Sequence, residues 1–238
     1  MNRKFIFFDI DDTLYDQLIP FKKAVNTKFD KYNLNIEEFF KLSRKLSDEV
    51  FYLTESNKMS TDDMHIYRVK KALENQGVFI DDETALDFQK EYSNNQFDIK
   101  ISTNMKKILK YLVSKNISIG LLSNGPSKHQ RMKIKSLGLE RFIEEENIFI
   151  SSEVGFAKPD IRIFKLVHER LTLNPTIDNI YFIGDSLKND IIPANKMNWF
   201  SIWIDRRDRR NANNINIPKY IVRDDIELYN LLINKITI

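Results

Sequence analysis

The sequence predicts an α/β protein with a doubly wound, Rossmann-like parallel sheet as its core and a helical domain inserted into that core. Two observations support this fold class. Short, unbroken apolar runs recur along the 238-residue chain, and amphipathic helical stripes separate them. Such alternation is typical of parallel strands that helices cover on both faces. One long stretch after the first run carries helical stripes only, which indicates an insertion.

The strands are predicted from the apolar runs. Each run is too short for a helix and too continuous for a sheet with one face in water, so a buried parallel strand fits it best. The stronger runs are residues 5–8, 117–122, 180–183 and 200–204, and the weaker ones are residues 148–150 and 220–222.

Helices of the core are predicted where apolar residues recur at the spacing of one helix face. Residues 103–115 carry one such stripe, and a second follows Pro159 and Asp160, which suit a helix start. A last helix is predicted near residues 226–233. The two stripes consist of Met105, Ile108, Leu109, Leu112 and Val113, and of Ile163, Phe164, Val167 and Leu171.

The inserted helical domain is predicted to comprise residues 17–98. This stretch holds no convincing strand run, and it is too long to be a connection between two strands. The predicted core domain is therefore built from residues 1–16 and 99–238. The stripes of the insertion are Phe21, Val25, Phe29 and Tyr32, then Phe39, Leu42, Leu46 and Val50, then Met64, Tyr67 and Leu73.

Composition limits the partners of the chain. Its 37 basic and 34 acidic residues give a formal net charge of +3, a balance that gives no reason to expect nucleic acid or a membrane as partner. The sequence contains no cysteine, so disulfides and thiolate metal sites are excluded. We find no secretory signal or apolar run of membrane-spanning length and expect a cytoplasmic protein. The polar, basic segment 205–216 is expected to be a solvated loop.

Four polar clusters fall where predicted strands end or helices begin. Taken singly, each has an ordinary explanation as a turn or a helix cap. Because ligands of open α/β sheets bind beyond the carboxyl ends of the strands, we expect the clusters to share one crevice. They are Asp9, Asp11 and Thr13; Ser123 and Asn124 in LLSNG; Lys158 in GFAKPD; and Asp185 and Asp190 in GDSLKND.

In this order the clusters resemble the motifs of the haloacid dehalogenase superfamily of aspartyl-phosphate hydrolases. Residues 9–13, DIDDT, fit the first motif, DxDxT, and Ser123 fits the second. Lys158 fits the third, and Asp185 with Asp190 fits the GDxxxxD form of the fourth. The resemblance implies a Rossmann-like core and identifies the insertion with that family's helical cap of the first type.

The resemblance also implies catalytic roles for these residues. Asp9 would be the nucleophile that forms an aspartyl-phosphate. Asp11 would donate a proton to the leaving alcohol and then accept one from the hydrolytic water. Ser123 and the neighbouring amides at Asn124 would bind phosphoryl oxygens. Lys158 would supply positive charge to the nucleophile and the transferred group.

A magnesium site is implied by the same motifs. Asp9 and Asp185 would provide carboxylate oxygens and Asp11 its main-chain carbonyl, with Asp190 in or just behind this shell. A hard divalent cation would offset the repulsion between neighbouring carboxylates, and Mg²⁺ prefers such oxygen ligands. The three histidines lack metal-ligand spacing and are expected to be surface or core residues: His65, His129 and His168.

The predicted function is therefore a Mg²⁺-dependent phosphatase that hydrolyses a small phosphomonoester, with a nucleoside monophosphate ranked before a sugar phosphate. The stretches LLSNGPSKHQ, GDSLKND and SIWI resemble the branch that holds pyrimidine 5′-nucleotidases and N-acylneuraminate-9-phosphatases. Asp11 favours a phosphate over a haloacid, because only an alcohol leaving group needs a proton. A phosphosugar mutase and a non-catalytic phosphoryl-binding or signalling relative are alternatives, and both a monomer and a homodimer stay open.

Overall fold

The predicted fold class is confirmed by a computed structural model, which describes residues 3–211 and 213–236. Its described residues form an all-parallel sheet in the order β3-β2-β1-β4-β5-β6. The chain fills one side of β1 first and then returns to the other side, so the strand order reverses between β1 and β4. The strands are β1 (Lys4–Phe8), β2 (Ser118–Ser123), β3 (Ile148–Ile150), β4 (Asn179–Gly184), β5 (Phe200–Ile204) and β6 (Tyr220–Val222).

Helices follow most strands and fill the long connection after β1. Polar caps begin several of them; Ser102, for example, accepts a hydrogen bond from the main-chain N–H of Met105. The helices are α1 (Leu18–Lys28), α2 (Ile36–Glu55), α3 (Thr61–Glu74), α4 (Asp82–Asn95), α5 (Thr103–Ser114), α6 (Ser127–Leu137), α7 (Ser151–Val154), α8 (Ile161–Leu171), α9 (Ile192–Lys196) and α10 (Asp225–Leu231).

The central strand β1 is buried on both faces, as its unbroken apolar run predicts. Phe7 stacks on Trp199 with ring centroids 5.0 Å apart, and the same cluster includes Phe164 of α8. Ile6 and Phe8, the neighbours of Phe7 in β1, point to the opposite face of the sheet and are also fully buried. Covering both faces fixes β1 in the middle of the sheet, so its carboxyl end has a neighbouring strand on each side.

The strand and helix predictions hold within a few residues, but one residue of the stripe predicted for α5 is exposed. Strand β2 begins at Ser118 and extends to Ser123, one residue later than predicted at both ends. Val113, assigned to the buried stripe of α5, is 47% exposed. It lies in the last turn of that helix, and a single exposed apolar residue is ordinary at such a place.

By its internal contacts the chain divides into two compact units. The sheet unit contains the residues up to Asp16 and those from Lys100 onward, and the helical unit is Gln17–Ile99. The helical unit has its own aromatic core, in which the ring of Phe21 lies 4.9 Å from that of Phe39 and 5.3 Å from that of Tyr92. A role for this unit as a cap stays a prediction.

The buried face of α2 differs from the predicted stripe. Ser43 and Ser47 are buried, whereas Leu42 and Leu46 are only half-buried. The Ser47 hydroxyl accepts a hydrogen bond of 3.2 Å from the buried guanidinium of Arg68. A hydroxyl faces inward here because a buried guanidinium needs acceptors.

Every helix among the described residues is either too short or too polar to span a lipid bilayer.

The aromatic core of the helical unit is testable by truncation. We expect Phe21→Ala to lower the free energy of unfolding by about 3–5 kcal/mol, because it leaves a cavity among packed rings. Tyr52→Ala, at a position 65% exposed on α2, is the matched control and should cost less than about 1 kcal/mol. Urea unfolding followed by circular dichroism measures the stability of both variants. Equal losses of stability would contradict the assignment of Phe21 to the core of the helical unit.

Candidate active site

The site begins at the carboxyl ends of three neighbouring strands. Asp9 directly follows β1, Ser123 ends β2, and Asp185 directly follows β4. The main-chain N–H of Asp9 donates to the carbonyl of Ile183 at 2.9 Å, which extends the pairing of β1 with β4 by one residue. Residues far apart in the chain therefore reach one edge of the sheet, as the motif order predicts.

Lys158 lies between two of the acidic side chains. Its Nζ is 2.7 Å from Asp9 Oδ1 and 2.6 Å from Asp190 Oδ1, and its side chain is only 2% exposed. The side chain of Asn124 fixes this lysine through its backbone, accepting from the Lys158 N–H at 2.8 Å and donating to the Lys158 carbonyl at 2.7 Å. The side-chain amide of Asn124 is thus engaged, so the phosphate contact predicted for this residue would have to come from its main-chain N–H.

Three carboxylates are close enough to share a cation. Oxygens of Asp9, Asp185 and Asp190 all lie within 4.8 Å of one another. Gly184 makes this approach possible, because a Cβ there would lie 2.4 Å from Asp190 Oδ2. The Ser186 N–H donates to the same oxygen at 3.0 Å and holds the carboxylate over the strand end. An all-oxygen, multiply charged donor set fits a hard divalent ion such as Mg²⁺.

The pKa values of the buried acids and of Lys158 are shifted by burial and by the charges close to them. Burial raises the pKa of Asp9 to about 6, with Asp190 and Asp11 adding to the rise and Lys158 opposing it. Burial and nearby acids also raise the pKa of Asp185, against the influence of Arg209. For Lys158, burial lowers the pKa, but the ion pairs with Asp190 and Asp9 outweigh burial and raise it. The lysine therefore stays charged, and the acids carry excess negative charge that a further cation would relieve.

Asp11 points to a different set of partners. Its carboxylate accepts from Lys133 Nζ at 2.6 and 2.7 Å, one contact to each oxygen. The Tyr15 hydroxyl donates to Oδ1 at 2.5 Å and Gln130 Nε2 to Oδ2 at 3.1 Å. The side chain of Asp11 is thus held apart from the three-carboxylate cluster, so its predicted part in a metal site rests on its main-chain carbonyl.

Two buried hydroxyls beside the acids have no hydrogen-bond partner among the described residues. They are Ser123 Oγ, at the end of β2, and Thr13 Oγ1. A buried hydroxyl without a partner is costly, so such a group in a polar site indicates an acceptor or donor that arrives with a ligand. The phosphoryl contact predicted for Ser123 would supply such a partner.

The expectation of a solvated loop is wrong for Asp205, which is buried, and for Arg206 and Arg207, which are half-buried, whereas Asp208 and Arg209 are exposed as expected. Arg206 donates to the carbonyls of Asp12 and Thr13 at 3.1 and 2.9 Å. Arg207, whose side chain is 8% exposed, pairs with Asp12 at 2.9 Å and also contacts Asp16. The first-motif loop bends sharply at Asp12, whose φ of 56° is left-handed, and the segment folds back because these acids and carbonyls need donors.

Arg209 extends this segment to the other side of the site. It contacts Asp185 Oδ2 at 3.2 Å and the Asp185 carbonyl at 2.7 Å. We name residues Asp205–Arg210 the arginine segment. It braces both the first-motif loop and the fourth-motif aspartate, a role that the charge run DRRDRR alone did not reveal.

Sequence reasoning also missed Gln130 and Lys133. A signal was present, because residues at positions i and i+3 share one face of a helix and a glutamine and a lysine there are polar on a face that packs inward. The histidines lie outside the acidic cluster found among the described residues. Burial, followed by the nearby Lys133, lowers the pKa of His129 to about 4, with Asp11 opposing the shift. Burial also lowers the pKa of His168.

Known proteins resemble this chain along most of its length. The sequence profile described as haloacid dehalogenase-like hydrolase matches residues 6–204. A glyceraldehyde 3-phosphate phosphatase of Methanothermobacter thermautotrophicus is 31% identical over 237 residues, covering 94% of this chain and 96% of the relative. The pyrimidine 5′-nucleotidase YjjG of Escherichia coli is 30% identical over 117 residues, covering 49% of this chain and 50% of the relative.

Solved structures agree with the fold. The Bacillus subtilis protein YfnB, solved bound to magnesium, matches with a TM-score of 0.71 at 23% identity, over 98% of this chain and 99% of that one.

The arginine segment is testable through Arg207. We expect Arg207→Met to lower the free energy of unfolding by about 3–5 kcal/mol, because it removes the guanidinium that pairs with the buried Asp12 carboxylate. Adding Asp12→Asn to the Arg207→Met variant should restore part of the lost stability, because it removes the buried negative charge. Arg162→Met removes an ion pair whose arginine is 64% exposed and should cost at most about 1 kcal/mol. Similar losses for both arginines in urea unfolding would contradict the bracing role.

The raised pKa of Asp9 predicts a pH-dependent stability of the metal-free protein. Between the ordinary pKa of 3.8 and about 6, the native state binds more protons at Asp9 than the unfolded state, so stability falls as pH rises through this window. Over the whole window, ionisation of Asp9 lowers the free energy of unfolding by roughly 3 kcal/mol. Unfolding measured with chelator from pH 4 to 7.5 should show this fall in the wild type and a smaller fall in Asp9→Asn, in which Asp185, whose pKa burial also raises, still contributes.

Asp98→Asn, at a side chain 72% exposed, is the control and should keep the wild-type pH profile. A profile for Asp9→Asn that overlies the wild type would show that burial does not raise the pKa of Asp9.

Proposed function

Because this chain belongs to the haloacid dehalogenase-like hydrolases, we propose that it is a phosphatase that hydrolyses small phosphomonoesters through an aspartyl-phosphate on Asp9. The observation that carries the proposal is the buried contact of Lys158 with both Asp9 and Asp190, beside a third carboxylate from Asp185. A nucleophile, a fixed cation and a donor set for a divalent ion thus lie at one strand edge.

In the first step, a carboxylate oxygen of Asp9 attacks phosphorus and the bond from phosphorus to the leaving oxygen breaks. Asp11, which is protonated for this step, gives its proton to that oxygen, which leaves as an alcohol. Lys158 and the Ser123 hydroxyl face the charge that develops on Asp9 and the phosphoryl oxygens. Because these groups are fixed before substrate arrives, little reorganisation is needed at the moment of reaction.

In the second step, water attacks the phosphorus of the aspartyl-phosphate and gives a proton to Asp11. The bond from phosphorus to Asp9 breaks, which releases inorganic phosphate and restores both carboxyl groups. Asp9, Asp185 and Asp190 would hold Mg²⁺, with the main-chain carbonyl of Asp11. When bound, Mg²⁺ supplies positive charge that offsets the repulsion between a carboxylate and a phosphate.

The same fold also serves other chemistry, and Asp11 separates the candidates. A haloacid dehalogenase releases halide, which needs no proton, so a second carboxylate held by three partners would have no task there. A phosphosugar mutase needs both aspartates and is the second candidate. Hydrolysis is favoured because no described feature marks retention of a phosphorylated intermediate against water.

We propose a small sugar phosphate as the first substrate class and a nucleoside monophosphate as the second. One relative that matches nearly the whole chain is named for glyceraldehyde 3-phosphate, a triose phosphate, whereas the nucleotidase matches only about half of the chain. The sequence motifs ranked nucleoside monophosphates first, so this order is reversed. Those motifs lie in the sheet unit, whereas the insertion is the part expected to select the leaving group.

The proposal is tested by assaying phosphate release with added Mg²⁺ from triose phosphates, other sugar phosphates, nucleoside monophosphates and 4-nitrophenyl phosphate. We expect turnover of at least one class, none by Asp9→Asn, and a loss of roughly two to three orders of magnitude in Lys158→Met, as for other preorganised electrostatic donors.

Lys165→Met, on the surface of α8, is the control for the lysine change and should match the wild type. Absence of Mg²⁺-dependent release from every phosphomonoester, or full activity in Asp9→Asn, would overturn the proposed function.

A further inference from the structure

We infer that Lys133 is a positioning residue that orients the carboxyl group of Asp11, which is the proton donor and acceptor of the proposed mechanism. This inference rests on the proposed phosphatase function and adds a residue to it. Lys133 lies on α6, in a part of the sequence that the four motifs do not include. Its side chain is 3% exposed, so its charge is committed to the interior of the protein.

The contact between the two residues fixes an orientation as well as a distance. Lys133 Nζ reaches both oxygens of Asp11, at 2.6 and 2.7 Å. The Tyr15 hydroxyl and Gln130 Nε2 each take one of the two oxygens. Donors on both oxygens restrict rotation of the carboxyl plane, which a single hydrogen bond would leave free.

The same helix ties Asp11 to the second motif. Gln130, one helical turn before Lys133, also donates to the carbonyl of Asn124 at 2.8 Å. It fits closely under the turn, since a Cβ on Gly125 would lie 2.7 Å from Gln130 Nε2. One face of α6 thus sets Asp11 relative to the strand end that carries Ser123.

A purely structural contact between α6 and Asp11 would not need a buried lysine. A buried ion pair is often no more stabilising than apolar side chains of the same size, so stability alone is a weak reason for a buried lysine at this position. The lysine constrains the carboxyl group that the proposed mechanism uses for proton transfer, and the efficiency of a general acid depends on its alignment with the reacting oxygen.

A positioning role and a purely structural role of Lys133 predict different effects of the leaving group on the loss of activity in a Lys133 variant. An alkyl alcohol needs a proton as it departs, whereas 4-nitrophenolate departs readily without one. The parameter kcat/KM reports the steps through leaving-group departure and is not affected by later hydrolysis of the aspartyl-phosphate. Misplacing Asp11 should therefore lower kcat/KM for alkyl phosphates selectively.

The experiment compares kcat/KM for an alkyl phosphomonoester and for 4-nitrophenyl phosphate in Lys133→Met. We expect a loss of about 100-fold for the alkyl substrate, the scale of general acid catalysis, and less than about fivefold for the aryl substrate. In an Asp11→Asn background Lys133→Met should cause no further loss, because it acts only through Asp11. Lys135→Met, at an exposed position on the same helix, should match the wild type.

Tyr15→Phe provides a second variant in case Lys133→Met does not fold. It removes one donor to Asp11 and nothing larger, and it should give a smaller loss with the same selectivity for alkyl substrates. Equal losses on both substrates, or a further loss in the Asp11→Asn background, would overturn the inference while leaving the phosphatase proposal in place. A wild-type protein without activity on either substrate would remove the proposed function and the inference together.

Discussion

The ion pair that Lys158 makes with Asp9 and Asp190 is the interaction on which the site depends. Its three charged groups are buried, and each is tolerable there only because the others are present. The sheet order brings β1 beside β4, and Gly184 gives the Asp190 carboxylate room to reach across the strand end. The fold thus concentrates negative charge and holds the Lys158 ammonium against it.

A second set of cations keeps the surrounding acids in place. Arg207 holds the first-motif loop, Arg209 contacts Asp185, and Lys133 holds Asp11. These cations come from segments far apart in the sequence, so the site is assembled only when the sheet unit is folded. The net charge of +3 says nothing of this arrangement, since acids and bases nearly balance along the chain but are paired locally around one strand edge.

The sequence was enough to predict the fold class and the meeting of the motif residues, because both follow from short-range rules. Apolar runs identify the strands, and strand ends that carry Asp9, Ser123 and Asp185 must share an edge of a parallel sheet. The arginine segment and Lys133 could not be predicted in this way. Their charges resemble a solvated loop and an ordinary helix face until the partners are known, and those partners are set by tertiary contacts.

Trapping the covalent intermediate would show whether Asp9 is the nucleophile. Enzyme in excess over an active phosphomonoester, with Mg²⁺, would be quenched in acid within milliseconds, digested and mapped by mass spectrometry. We predict one phosphoryl group on the peptide that contains Asp9, labile to alkali and absent when Asp9→Asn is treated identically. A phosphoryl group on another residue, or substrate turnover with no phosphorylated peptide at any quench time, would contradict it.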